Sequence, residues 1–416
     1  MGTDGARYES RYAARARGVV SSAMRDLMAL SERPEIISLA GGFPATESFP
    51  PEVFSELAEV VARDHLAGAL QYGPTEGLAE LRARICDVMA VEGAVAHPEH
   101  LMVTSGGQQA IDLAIRTFVD PGDVVIAEGP TYPGAVPTLT TYQARVVHVP
   151  MDGDGMRVDL LEETLDRLAA AGERPKLLYT IPTFHNPAGV TMSLERRRAL
   201  VAIAHERELL VVEDNPYGQL RFEGTPLPTL WELDGGAGWV VYLSTFSKIL
   251  APGVRLGWVV APPPVLRKMN LAKQATDLGS STLGQRFVLE YLRRFDYRHH
   301  VARQNDIYRR RRDVLLRALE EEFPAEASWS RPGGGLFVWA TLPEFVDTRE
   351  LLARAIDRHA VAFVPGQAAF LDGRGGSSMR LNFSGVPEER LVEGVARIGT
   401  AIAETVELQR VFGGGA

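Results

Sequence analysis

Residues 239–261 read WVVYLSTFSKILAPGVRLGWVVA. Trp239–Leu243 and Gly257–Ala261 are short apolar runs rich in β-branched and aromatic residues, the composition of strands covered on both faces. Lys248 follows the first run at once, flanked by Ser244, Thr245 and Ser247, with Arg255 just ahead of the second run. Open α/β sheets bind ligands past the carboxyl ends of their strands. A lysine amine there can form a Schiff base with an aldehyde, and hydroxyls beside an arginine suit a phosphate. A lone loop lysine is ordinarily just solvated. Here only Lys176, Lys248, Lys268 and Lys273 are lysines among 44 basic residues, so Lys248 stands apart. Lys268 and Lys273 lie on a polar helix-like stretch and are expected to be exposed, while Lys176 opens a strand without chemical company.

Working outward, five more runs carry the same signature: Leu101–Ser105, Asp123–Ala127, Arg145–Val149, Lys176–Ile181 and Leu209–Asp214. Helix-like segments separate several of them. Ile111, Ala114, Ile115 and Phe118 share one helical face, and residues 193–207 form another helix with Ser193 as N-cap. This alternation argues a three-layer α/β/α large domain. The flanks differ. Residues 1–30 look helical, Val301–Glu322 is a long Arg-rich helix, and strand-like LFVWATL, VAFVP and MRLNFS are interleaved with helices up to a last one near 387–408. They predict a smaller α+β domain built by both chain ends, with the large domain at 51–300 and the small one at 1–50 together with 301–416.

The composition, 45% hydrophobic and 23% charged, is that of a globular protein. A net charge of −9 supplies no electrostatic reason to bind nucleic acid or an anionic membrane. No secretory signal or spanning segment is read, and the single Cys86, a small core hydrophobe by its neighbours, suits a reducing, cytoplasmic setting. No metal-ligand spacing is found.

Further motifs lie just past the same strands. TSGGQQ at 104–109 is a strand–glycine–helix turn whose backbone N–H groups can face an anion; a plain tight turn is the bland alternative. VVEDNPY at 211–217 ends an apolar strand in an acidic pair, so one carboxylate can oppose a buried cation, although Asp before Asn-Pro is also capping chemistry. Asn186 is fixed between Pro and Gly in PTFHNPAG at 182–189; His185 beside it is given no role. GPTY at 129–132 brings the ring of Tyr132 to that end of the sheet, unless it is core packing. In SMRLNF at 378–383, Arg380 points opposite to Met379 and Leu381 and can clamp a carboxylate; a surface arginine is the ordinary alternative.

With these motifs in order, the sequence resembles the class I/II aminotransferases of pyridoxal-phosphate fold type I, in the branch of the 2-aminoadipate and kynurenine aminotransferases. The likeness is carried by SLAGGFPATESFP, ALQYGPTEG, TSGGQQAIDL, PTYPGA, HNPAGVT, VVEDNPYG, STFSKILAPGVRLGW, RPGGGLFVW and MRLNFS, from about residue 20 to 385. The resemblance implies that Lys248 carries the cofactor and moves the proton, that Asp214 pairs with the ring nitrogen, and that Tyr217 and Asn186 bond the ring's phenolic oxygen. It implies that Tyr132 stacks on the ring and that Gly107, Gln108, Thr245, Ser247 and Arg255 hold the phosphate. Arg380 with Asn186 would take the substrate carboxylate, the backbone of Gly42 would close over it, and Arg25 would meet a distal carboxylate. Tyr72 would reach the phosphate of the neighbouring subunit of a homodimer. Gly107 and Thr245 stand where many relatives have Ser, and Ala188 where Thr is frequent; no catalytic group is lost. The function implied is transfer of an amino group from an aromatic, aminoadipate-like or aliphatic L-amino acid to a 2-oxo acid such as 2-oxoglutarate, in amino-acid metabolism. The alternative is a lyase, decarboxylase or oxidase on the same scaffold. A cofactor-sensing transcription regulator is disfavoured, because about 20 residues precede the likeness, too few for a DNA-binding unit.

Overall fold

The computed structural model describes residues 8, 10–17, 27 and 33–412. Arg25 and most of the helix-like N-terminal stretch lie outside the described residues. Strand β1 is Ile37–Ser38. Next come β2 (Leu101–Thr104), β3 (Val124–Gly129), β4 (Arg145–Asp152), β5 (Gly155–Met156), β6 (Leu177–Thr180), β7 (Val211–Asp214), β8 (Val240–Thr245) and β9 (Gly257–Val260). These eight form one sheet in the order β2-β9-β8-β7-β6-β3-β4-β5.

Side chains of successive strand residues go to opposite faces, and the burial follows that rule. Val125, Leu177, Tyr179, Val212 and Val241 pack under helices Gly107–Phe118 and Pro263–Asp277. Val124, Ile126, Leu178, Val211 and Val240 pack under helices Val158–Ala170 and Leu194–Arg207 on the other face. The three-layer α/β/α architecture is thus written into alternate residues of each strand. The N-cap reading holds as well, with Ser193 accepting from the Arg196 N–H.

The sheet is mixed. β3, β4, β6, β7 and β8 run parallel, whereas β9 lies antiparallel to both β2 and β8. The short return from β8 to β9 explains this: a parallel partner would need a crossover of a dozen residues or more, and residues 246–256 instead turn back directly through the Lys248 loop.

Toward the C-terminus, β10 (Ser328–Trp329), β11 (Phe337–Thr341), β13 (Val364–Pro365) and β14 (Ser378–Asn382) form an antiparallel sheet. β12 (Val361–Ala362) pairs in parallel with β1, which ties the N-terminal segment to this region. Helices Tyr297–Glu322, Thr348–His359 and Glu388–Phe412 cover it. No helix among the described residues is long and apolar enough to cross a membrane.

Two lysine expectations are corrected. Lys273 is fully buried, not exposed: its amine lies 2.9 Å from Asp277 and 3.0 Å from Gln109 Oε1. Asp277 also accepts from Ser105 Oγ at 2.9 Å and Gln109 Nε2 at 2.7 Å, so a neutralised ion pair props the 104–109 turn from behind. Lys176 has company as well, in Asp123 at 3.5 Å. Cys86 is half-buried against the largest core cluster.

Candidate active site

A cavity of about 320 Å³ opens at the carboxyl ends of β6, β7 and β8, with the N-terminus of helix Gly107–Phe118 on one side and β11 and β14 on the other. Its lining gathers Gly42, Gly107, Gln108, Tyr132, Asn186, Asp214, Tyr217, Thr245, Ser247, Lys248, Arg255 and Arg380. Residues from seven separate stretches of chain therefore meet at one place. Tyr72 is not among them; it stands 84% exposed on the surface.

Lys248 projects from the turn after β8, and its amine donates to Gly42 O at 2.7 Å. Desolvation, with the positive charges of Arg380 and Arg255, brings it down to about 8. A good fraction of neutral amine is thus present near physiological pH, as a nucleophile or base requires.

Asp214 ends β7 and is buried. Tyr179, on the adjacent β6, donates its hydroxyl to Asp214 Oδ2 at 2.6 Å. Burial raises the carboxyl to about 6, against the pull of that hydrogen bond. Its neighbour Glu213 faces the other way and accepts the Leu230 and Trp231 N–H groups at 3.0 and 2.9 Å, capping helix Leu230–Asp234. The acidic pair therefore divides its work: one carboxylate for the cavity, one for a helix end.

Arg380 is 1% exposed, on β14. It donates to Asn186 Oδ1 at 2.9 Å and Ala40 O at 2.5 Å, and its guanidinium lies 4.2 Å from the Phe337 ring centroid. Asn186 in turn donates to the Tyr217 hydroxyl at 3.2 Å. Burial raises the Tyr217 phenol well above its usual range and lowers Arg380 to about 10.

The anion cradle is built around glycine. Gly106 has φ +86°, and a Cβ there would lie 2.6 Å from Arg255 Nη2, so the turn and the guanidinium can approach only without a side chain. The first amides of helix Gly107–Phe118 have no partners within the helix. The Gln108 side chain is engaged with Gly134 O and Thr138 Oγ1, which leaves its backbone N–H for the cavity. Thr245 Oγ1 and Ser247 Oγ lie 2.9 Å apart beside them. Backbone donors, two hydroxyls and a guanidinium suit a phosphate monoester; a lysine amine suits an aldehyde, and an opposing carboxylate suits a protonated ring nitrogen. The residues present fit pyridoxal 5'-phosphate.

Sequence reasoning missed the supports. Glu128, at the end of β3, accepts Thr180 Oγ1 at 2.7 Å and the Ile181 N–H at 2.9 Å, and lies 2.9 Å from His185 Nε2. His185 Nδ1 accepts the Ala188 N–H at 3.1 Å, while its Nε2 lies close to Glu128 without a hydrogen bond. This buried pair holds the loop that presents Asn186. The signal available was a glutamate closing the apolar run DVVIAE, which demands a partner. For Tyr179 no local signal distinguishes it from a core tyrosine.

The family model for aminotransferase class I and II matches residues 34–398. An aromatic-amino-acid aminotransferase of Thermococcus litoralis is 43% identical over 403 residues, spanning 96% of each chain. Among solved structures, a kynurenine aminotransferase from Pyrococcus horikoshii, in complex with PMP, superposes with a TM-score of 0.91 at 40% identity, covering 97% of this chain and 99% of that one. An alpha-aminoadipate aminotransferase from Thermus thermophilus, complexed with N-(5'-phosphopyridoxyl)-L-leucine, gives a TM-score of 0.89 at 38% identity, covering 96% and 99%.

Proposed function

The chain belongs to the class I and II aminotransferases, and from that premise we propose its substrates and the part each side chain plays. It is a pyridoxal-phosphate-dependent enzyme that transfers amino groups between amino acids and 2-oxo acids. The bound cofactor supplies a carbonyl carbon for the amino group and a ring that accepts electron density.

Lys248 would hold the cofactor through its amine and, as the free amine, would serve as the base that moves the proton of the substrate Cα. Asp214 keeps the ring nitrogen protonated, and Tyr179 keeps Asp214 aligned and ionised. Tyr217 and Asn186 would offer hydrogen bonds to the ring's phenolic oxygen, and Tyr132 would pack against the ring. Gly107, Gln108, Thr245, Ser247 and Arg255 anchor the phosphate. Arg380 orients the substrate through its carboxylate, with Asn186 beside it and Gly42 closing the other side. Large domain 51–300 and small domain 1–50 with 301–416 are the bodies these groups join.

The donors we propose are aromatic L-amino acids first, with aminoadipate-like and aliphatic ones also accepted, and 2-oxoglutarate as acceptor. The observation that carries this is that Phe43, Ile111 and Phe337 line the same cavity as Arg380, with the Phe337 ring against the guanidinium itself, so apolar surface for a ring lies beside the clamp. A screen of phenylalanine, 2-aminoadipate and leucine against 2-oxoglutarate and pyruvate tests it. Phenylalanine is expected to have the highest kcat/KM. Absence of aromatic turnover overturns the donor class, and ammonia release without acceptor would favour a lyase or oxidase.

A pH dependence follows from Asp214. Its folded value, about 6, is raised from 3.8, so the cofactor-free chain loses stability as pH rises through that interval. A ring cation offsets this only where the carboxyl is ionised. Cofactor affinity is therefore expected to rise from about pH 5 to about pH 7, and Tyr179→Phe, which removes the bond favouring the ionised form, to move the midpoint upward. Equilibrium titrations of the cofactor at fixed pH read this directly; coincident midpoints for the two proteins would refute the role of Tyr179.

We further propose a cytoplasmic homodimer. Leu66, Leu70, Tyr72, Leu278 and Leu283 are all exposed, from 47% to 84%. Thr282 Oγ1, 2.8 Å from Ala69 O and Gln71 O, ties the 66–72 and 278–283 segments together. Each leucine covered there contributes about 1.5–3 kcal/mol. Leu278→Glu is expected to yield monomers by light scattering and to weaken cofactor binding, because Tyr72 would no longer reach the neighbouring site. A variant that stays dimeric places the interface elsewhere.

A further inference from the structure

A second cavity, of about 240 Å³, lies behind the catalytic one. Thr183 and Gly218–Gln219 line it, and these sit on the same two segments that carry Asn186 and Tyr217 into the catalytic cavity. None of its charged groups takes part in the amino transfer described above.

On one side stands Glu92, half-buried. Its Oε2 accepts from Asn215 Nδ2 at 2.7 Å. A Cβ on Gly218 would occupy the place of that oxygen, so the glycine is what lets the carboxylate in. Nearby, Asn305 Oδ1 is buried without a hydrogen-bond donor, although its Nδ2 reaches Gln219 O at 2.9 Å. Two guanidiniums line the same cavity. Arg221 lies 4.7 Å from the Phe184 ring centroid; its Nη1 reaches Glu223 O at 3.5 Å, while its Nε is buried without an acceptor. Arg298 stands exposed and forms no ion pair among the described residues. Pro226, Leu227 and Val301 supply apolar wall between them.

Glu92 and Arg221 are close enough to feel each other's charge, yet no ion pair joins them. Desolvation leaves Glu92 raised to about 7 despite hydrogen bonds from Asn215 and Gln219, with Glu213 adding to the rise and Arg221 opposing it. Acceptors without a cation thus line the same cavity as guanidiniums whose donors are only partly used. A molecule bearing both charges satisfies both sides, where a simple anion or cation would satisfy one.

We propose that this second cavity binds a small amino-acid zwitterion, its ammonium against Glu92 and Asn305 and its carboxylate against Arg221 and Arg298. The site is independent of the donor class proposed above. Occupancy would bear on two segments that shape the catalytic cavity from its reverse side.

The test uses cofactor-loaded enzyme and two probes, L-proline and N,N-dimethylglycine. Both are zwitterions without a primary amine, so neither serves as an amino donor. Calorimetric titration is expected to show saturable binding of at least one probe. The affinity should fall about tenfold or more in Glu92→Gln and in Arg298→Ala, and stay unchanged in Arg380→Ala, which disables the carboxylate clamp of the catalytic cavity. Arg298 is exposed, so its variant decides the matter if Glu92→Gln fails to fold. The proposal is overturned if neither probe saturates below about 10 mM, or if binding survives both cavity variants and disappears in Arg380→Ala.

Discussion

Lys248→Ala is expected to fold normally and to lose amino transfer by on the order of 10⁴-fold or more, since general acid–base catalysis alone contributes about 10²–10⁴ and covalent attachment of the cofactor is lost with it. No other lysine can stand in. Lys273 is locked by Asp277 and Gln109 behind the 104–109 turn, Lys176 is paired with Asp123 on the surface, and Lys268 lies on helix Pro263–Asp277 outside the cavity. Burial of the amine at an environment that lowers it to about 8 disfavours its charged form, so removing it sacrifices little stability. The lowered value fixes the sign of the pH effect in the cofactor-free protein. The free amine needed to capture the cofactor grows as pH rises through about 8, so capture is expected to quicken over that range. Borohydride reduction of the loaded wild-type protein, followed by peptide mass mapping, should place the cofactor mass on Lys248 and nowhere in the variant. A label on another lysine, or turnover close to wild type, would sink the assignment.

That Lys248 was legible at all has a local cause. A strand buried on both faces is apolar throughout, and this is visible in residues 239–243 and 257–261 without knowing their neighbours. Asp214 was legible for the related reason that a carboxylate breaks such a run. What composition does not encode is who sits opposite. The antiparallel direction of β9 depends on the short return through the lysine loop, and the partners of Asp214 and Glu128 come from strands 35 and 52 residues away. Lys273 misled because a helix's polar face looks the same whether it meets water or a buried ion pair; Ser105 and Gln109 make the difference, from well over 150 residues earlier. Geometry assembled by long-range contacts was reached only through the family resemblance, and supporting residues on which that resemblance is silent were not reached.

Arg380→Ala is expected to lower kcat/KM by about 10²–10⁴-fold, the effect of losing one partner of a buried charge pair worth about 3–5 kcal/mol. The residue is almost wholly enclosed, held by Asn186, Ala40 O and the Phe337 ring, so its guanidinium is already oriented before a substrate arrives. Little entropy remains to be lost on clamping a carboxylate. The same enclosure predicts a mixed kinetic signature. Losing the clamp should raise KM, while freeing Asn186 Oδ1 should disturb the Asn186–Tyr217 contact and lower kcat as well. Arg380→Lys is expected to recover only part of the loss, because an ammonium cannot present two parallel donors. A purely structural arginine would also lower activity when removed, so the deciding measurement is discrimination. Wild-type enzyme should prefer phenylalanine over phenethylamine, the same molecule without its carboxylate, by a factor comparable to the mutational loss, and Arg380→Ala should erase most of that preference. If the variant is slower yet still discriminates as strongly, the carboxylate is held by another group and the clamp belongs elsewhere in the cavity.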